Sequence, residues 1–110
     1  PSMLTDLLTL AAQGTRPELS AMFGGLPVAG WSGTLQDRFQ TPEAGRFGRG
    51  VVRAKTGSLS GVSALSGGLV TKDGRLLVFA VMADGVPGGQ DAARAALDRI
   101  AARLVACGCR

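Results

Sequence analysis

The stretch Val51-Val52-Arg53-Ala54-Lys55-Thr56 opens a run, continuing to Ala83, in which apolar segments are punctuated by turn signals. Val51 to Thr56 reads as a first strand stopped by Gly57, since glycine lowers strand propensity. Val62 to Thr71 reads as a second strand, with Gly67-Gly68 inside it where another group approaches closely. Lys72-Asp73-Gly74-Arg75 then places Asp-Gly between two apolar runs, the strongest short-range hairpin signal. Leu76 to Ala83 follows without alternation. A strand apolar on both faces must be covered on both, which makes it central in a sheet. In a simple meander that last strand would instead be an edge, with a row of unpaired N–H and C=O groups. Either the strand order is rearranged, or something outside residues 1–110 pairs with Leu76 to Met82.

Working outward, Met3, Leu4, Leu7, Leu8, Leu10 and Ala11 form one face of a helix, with Gly14 placed to stop it. Pro1 suits the first turn of that helix, where its missing N–H costs nothing. A helix beginning at residue 1, with neither initiator Met nor N-cap, leads to the expectation of a chain cut from a longer one. Arg16 to Phe23 is a candidate short helix, opened by Pro17 and closed by Gly24-Gly25. Residues 24–50 are dense in Gly and Pro and read as a long loop with a helical turn near Thr34 to Phe39. Trp31, Leu35 and Phe39 are expected to anchor it, favouring an ordered, functional loop over a plain linker. Asp91 to Ala106 is a second helix, with Ala93, Leu97, Ile100 and Leu104 on its apolar side and Gly108 at its end. Arg94 and Asp98, four apart on it, are placed to pair.

Composition removes several classes. The 110 residues contain no His, which excludes Ser-His-Asp and Cys-His catalysis within this chain and His-ligated zinc. The longest apolar run, Leu76 to Ala83, is far below the roughly 20 residues a membrane-spanning helix needs, so no transmembrane segment is expected. Twelve Lys+Arg against eight Asp+Glu give +4. These positives are scattered, with one aromatic (Phe47) in their densest stretch, Arg46 to Lys55, so a nucleic-acid partner is not indicated. Cys107 and Cys109 are too few for a four-ligand metal site and too close for an unstrained disulfide. Ten of the positives are Arg, and Lys55 is one of two amines in the chain.

Lys55-Thr56-Gly57-Ser58, at the end of the first strand, has a physical use. An ammonium and a hydroxyl can hold a carboxylate, and glycine lets a ligand lie against the strand backbone. A backbone N–H just beyond can point at a developing oxyanion. Three residues alone recur by chance, as a solvated strand end with a turn glycine. Here they sit within a longer pattern: Leu26-Pro27-Val28-Ala29-Gly30-Trp31-Ser32-Gly33-Thr34-Leu35, Arg38-Phe39, Arg53 to Leu59, Gly61-Val62, Ala64 to Gly68, and Asp73-Gly74-Arg75. The combined string resembles the C-terminal part of class C penicillin-binding proteins, the D-alanyl-D-alanine carboxypeptidase/endopeptidase family, whose motifs include Lys-Thr-Gly.

That resemblance implies an α+β fold, part of the penicillin-binding or serine β-lactamase-like transpeptidase type. Three antiparallel strands, with an N-terminal and a C-terminal helix flanking them, form one side of its sheet, and residues 1–110 form an incomplete segment of that domain. It implies that Lys55 lines the active site and fixes a substrate or β-lactam carboxylate, and that Thr56 donates to the same carboxylate. Gly57 keeps the strand edge open for a peptide to add alongside, and Ser58 supplies an oxyanion-hole N–H. The implied partners are a peptidoglycan stem peptide or β-lactam, with no cofactor and no metal, in the cell envelope, periplasmic or extracellular. The departures matter equally. Val52 and Leu69 stand three residues before the two lysines, so no Ser-x-x-Lys is present, and the chain has no Asn for a Ser-x-Asn motif. The nucleophile is therefore expected upstream, and this segment alone is expected to be inactive. A β-lactamase or esterase of the same fold, or a non-catalytic binding module, remains open at this point.

Overall fold

The computed structural model describes residues 2–13, 23–40, 45 and 48–107. Strands β1 (Arg53–Leu59), β2 (Val62–Val70) and β3 (Leu76–Asp84) form an antiparallel sheet in the order β1-β2-β3. Helix α1 (Ser2–Ala12) precedes the sheet and helix α2 (Gly89–Cys107) follows it. This is the expected α+β arrangement of three antiparallel strands with a flanking helix at either end.

Two sheet faces follow from the period-two alternation of strand side chains. One carries Ala54, Leu65, Leu69 and Phe79, and buries them against Leu97, Ala101 and Val105 of α2 and Leu35, Phe39 and Val52 of the preceding loop. The other carries Lys55, Gly57, Ala64, Ser66, Val78 and Ala80. Helix α1 packs over its β2–β3 side, where Ala11, Phe23, Gly68 and Leu76 line an apolar hollow of about 320 Å³. The β1 side of this face is uncovered, and Lys55 and Gly57 are exposed.

Strand β1 begins two residues later than the sequence suggests and runs through Gly57 to Leu59. The ladder carries the glycine, with Gly57 opposite Ala64 and Leu59 opposite Val62. The turn is Ser60-Gly61, with Gly61 at φ 75°. The close approach expected at Gly67-Gly68 is present. A Cβ on Gly67 would fall 2.0 Å from the Arg53 carbonyl oxygen, and one on Gly68 would fall 2.8 Å from the Phe23 ring.

The β2–β3 hairpin forms as expected over Thr71 to Arg75, with Gly74 at φ 86°. The order is not rearranged: β2 is central, and β3 is an edge among the described residues. Its continuous apolar sequence reflects cover on both faces, with Phe79 and Val81 toward α2 and Val78 and Ala80 toward α1. Leu76 and Met82 remain half exposed.

Other expectations need correction. The loop's helical turn is a single 3-10 turn, Gly33–Leu35, and Phe39 instead adopts φ 60°. Leu35 and Phe39 are fully buried, but Trp31 is 71% exposed, so it does not anchor the loop. On α2 the buried stripe is Ala93, Leu97, Asp98, Ala101, Ala102 and Val105, while Ile100 is exposed. Asp98 is buried because its partner is Arg38 from the loop, not Arg94. Arg38 donates from Nη2 to Oδ1 at 2.6 Å and from Nε to Oδ2 at 3.0 Å, and again from Nη2 to the Arg94 carbonyl. The expected stops at Gly14 and Gly108, the body of the Arg16 to Phe23 helix, and Cys109 lie outside the described residues; Cys107 is a free thiol.

Burial lifts the Asp98 carboxyl above its ordinary 3.8, against the hydrogen bond and charge of Arg38, which lower it. The folded chain thus holds the Asp98 proton more tightly than the unfolded chain. The stability from this group is complete below about pH 3.8 and is lost as pH rises through the folded value. Asp98→Asn removes that dependence, so the wild-type minus variant difference in unfolding free energy should fall with rising pH. A difference that rises excludes the raised carboxyl. Arg38→Ala leaves Asp98 buried without its guanidinium and should cost about 3 kcal/mol in denaturant unfolding.

Candidate active site

The four motif residues are brought together by one strand. Strand β1 pairs on one side only, with β2, and its other edge is partly covered by the loop. Ala29 N–H donates to the Val52 carbonyl at 2.9 Å, and Ala54 N–H donates to the Pro27 carbonyl at 3.0 Å. A single bridge, Val28 to Arg53, results. Because backbone groups alternate sides along a strand, Ala54 fixes the phase: Thr56 and Ser58 also direct their N–H and C=O groups away from β2. The loop joins the strand only at Ala54, and neither the Thr56 nor the Ser58 N–H has a partner among the described residues. An open backbone edge therefore begins at the motif itself.

Side chains straddle that edge. Lys55 projects on the α1 face and its Nζ donates to the outward Thr56 carbonyl at 2.9 Å. Thr56 projects on the α2 face, where its hydroxyl meets that of Thr34 at 3.1 Å. Gly57 has open surface where its side chain would be. A Cβ there would touch only Ala64 Cβ, at an ordinary 3.5 Å. The ammonium, the hydroxyl and two outward N–H groups make a donor-rich edge suited to an anionic or carbonyl-bearing extended ligand.

Three neighbours were not legible as site residues. Ser66 stands directly opposite Lys55 on the same face. The Ser60-Gly61 turn encodes that register, but reading Gly57 as the strand end hides it. Thr34 reaches Thr56 across 22 positions of sequence. Arg94 lies 3.5 Å from Ser58 Oγ through Nη2, and its Nη2 also donates to Gln90 Oε1 at 3.2 Å. Gln90 in turn donates to the Leu59 carbonyl at 2.7 Å, so the first turns of α2 clamp the end of β1.

The model of the D-Ala-D-Ala carboxypeptidase 3 (S13) family matches residues 1–105. The chain belongs to that family. It is 43% identical over 107 residues to carboxypeptidase DacB of Mycolicibacterium smegmatis, covering 96% of this chain and 22% of that protein. It is 42% identical over 106 residues to a D-alanyl-D-alanine carboxypeptidase of an Actinomadura species, covering 92% of this chain and 18% of that protein. The chain thus spans about a fifth of the length of these relatives.

The fit at Gly57 yields a test of stability alone. Gly57→Ala meets no clash and reduces unfolded-state freedom, so the unfolding free energy should stay within about 0.5 kcal/mol or rise slightly. A loss of 2 kcal/mol or more, by about any denaturant measure, contradicts the open face described for Gly57.

Proposed function

We propose that this S13 segment forms one wall of the active site of a serine-type D-Ala-D-Ala carboxypeptidase/endopeptidase that acts on peptidoglycan peptides and is acylated by penicillin. The observation carrying the reading is the open outer edge of β1, which begins at Thr56 within Lys-Thr-Gly. An extended acyl-D-Ala-D-Ala peptide adds there as a strand, exchanging hydrogen bonds with the outward groups of Thr56 and Ser58. The terminal carboxylate is held by the Lys55 ammonium and the Thr56 hydroxyl, from opposite faces of the edge. Gly57 leaves the space the peptide occupies. Ser58 N–H stabilises the negative charge that forms on the attacked carbonyl oxygen.

The nucleophile is a serine outside residues 1–110. It attacks the penultimate D-Ala carbonyl, terminal D-Ala leaves with a proton, and water then releases the acyl group. On this reading residues 1–110 alone are inactive, and they belong to a penicillin-binding transpeptidase-type domain located in the cell envelope, periplasmic or extracellular. No helix among the described residues is long and apolar enough to cross a membrane. The remainder of the protein pairs with the outer edge of β3, over Leu76 to Met82, and covers α1. Support comes from the apolar surface left on both: Met3 is 83% exposed, and Leu7, Leu10, Leu76 and Met82 are 41–53% exposed.

Labelled penicillin tests this in the intact protein. Wild type should form a penicilloyl adduct that persists, whereas rapid turnover points to a β-lactamase. Lys55→Ala should slow labelling by about 100-fold, and normal labelling would remove the role given to Lys55. Gly57→Ala should slow labelling while leaving stability intact. Hydrogen exchange tests the β3 contact: amides of Leu76 to Met82 should be protected throughout in the intact protein, and an alternating pattern of fast-exchanging amides argues for a free edge.

A further inference from the structure

Thr56 Oγ1 has one hydrogen-bond partner among the described residues, the Thr34 hydroxyl. A hydroxyl carries one proton and two acceptor lone pairs, so a pair of hydroxyls has two polarities. If Thr56 donates to Thr34, Thr56 presents only lone pairs to anything arriving at the edge, and these repel a carboxylate. If Thr34 donates to Thr56, the Thr56 proton is released toward the ligand. A carboxylate accepts and never donates, so its arrival selects the second polarity. The resulting chain, Thr34 to Thr56 to carboxylate, strengthens each of its bonds. We propose that Thr34 is a positioning residue: it donates its proton to Thr56 Oγ1 and thereby aims the Thr56 O–H at the ligand carboxylate. The proposal deepens the carboxylate-binding role of Thr56 given above and rests on that reading.

The surrounding backbone holds Thr34 for this purpose. Its neighbour Gly33 sits at φ 56°, and a Cβ there would fall 3.0 Å from Pro27 Cγ. Its other neighbour, Leu35, is fully buried, and the Leu35 carbonyl accepts from Gly30 N–H at 2.9 Å. Pro27 is itself tied to β1 through the Ala54 N–H, and Arg38 fastens the far end of the turn to Asp98. Thr34 is exposed. Its hydroxyl contact thus adds little to stability, and its use lies in where it puts the Thr56 proton.

Acylation of the intact protein by one β-lactam, as free carboxylate and as methyl ester, separates positioning from packing. Thr34→Val should slow acylation by the carboxylate form by about three- to tenfold, the span of one neutral hydrogen bond. The ester form should react as with wild type. Thr34→Ser, which keeps the hydroxyl, should restore the carboxylate rate, and Thr34→Ala should behave like the valine variant. Thr56→Val should slow the carboxylate form at least as much, and adding Thr34→Val to it should change nothing further. Equal slowing of both ligand forms, full additivity with Thr56→Val, or no slowing by Thr34→Val while Thr56→Val is impaired overturns the role of Thr34 alone. An unimpaired Thr56→Val overturns the carboxylate-anchor reading itself, and the Thr34 proposal with it. Unchanged unfolding midpoints in all variants confirm that the rates report the site.

Discussion

Backbone N–H and C=O groups demand partners, and a sheet edge is where that demand shows. The outer edge of β1 meets it unevenly. The Val52 carbonyl and the Ala54 N–H are satisfied by residues 27–29, the Thr56 carbonyl by its neighbour's ammonium, and the N–H groups of Thr56 and Ser58 by nothing described. Everything distinctive about the candidate site is a consequence of where that change occurs. One residue of slip in β1 would turn Lys55 and Gly57 toward α2 and Thr56 and Ser58 away from it, exchanging the two faces of the motif. The register is therefore as much a functional requirement as a packing one.

What sets the change is the loop rather than the strand. Residues 27–29 run antiparallel to the strand, joining it at Ala54 through Pro27 and leaving it beside Val52, from where the chain folds into the Gly33–Leu35 turn and buries Leu35 and Phe39. Close approaches fix that course. A Cβ at Gly45 would fall 2.4 Å from the Asp98 carbonyl, and one at Gly48 would press on Phe39 and Val52 at 3.0 Å. Gly45 and Gly48 thus mark backbone lying directly on a helix and on the Phe39 ring, instead of slack. The described part of the loop is ordered structure that ends at a chosen point on the strand.

The sheet, both helices and the β2–β3 hairpin were legible because periodicity and Asp-Gly turn chemistry are local signals. Lys55, Thr56, Gly57 and Ser58 were legible as a group because they are consecutive. The errors arose where a local rule met a tertiary one. Glycine propensity ended β1 at Gly57, but ladder bonds from β2 carry it to Leu59. An unbroken apolar strand suggested a central position, but helices on both faces of β3 give the same composition at an edge. Helical spacing paired Arg94 with Asp98, but Arg38, sixty positions away, holds Asp98 and leaves Arg94 for the end of β1. Thr34 escaped notice for the same reason: nothing in its neighbourhood of sequence refers to Thr56.

The Arg38–Asp98 pair clarifies what kind of interaction organises the site. Asp98 is 2% exposed, and its raised pKa means that burial outweighs what Arg38 returns. A pair with that balance adds little net stability over apolar residues of similar size. Its effect is directional. A hydrophobic contact would tolerate several placements of the loop on α2, whereas a two-pronged guanidinium with a third bond to the Arg94 carbonyl tolerates one. That single placement fixes the turn containing Thr34 beside Thr56 and the helix segment carrying Arg94 beside Ser58. A buried ion pair of small net worth thus fits a site whose requirement is position, since a one-ångström shift of the loop would part the two threonine hydroxyls.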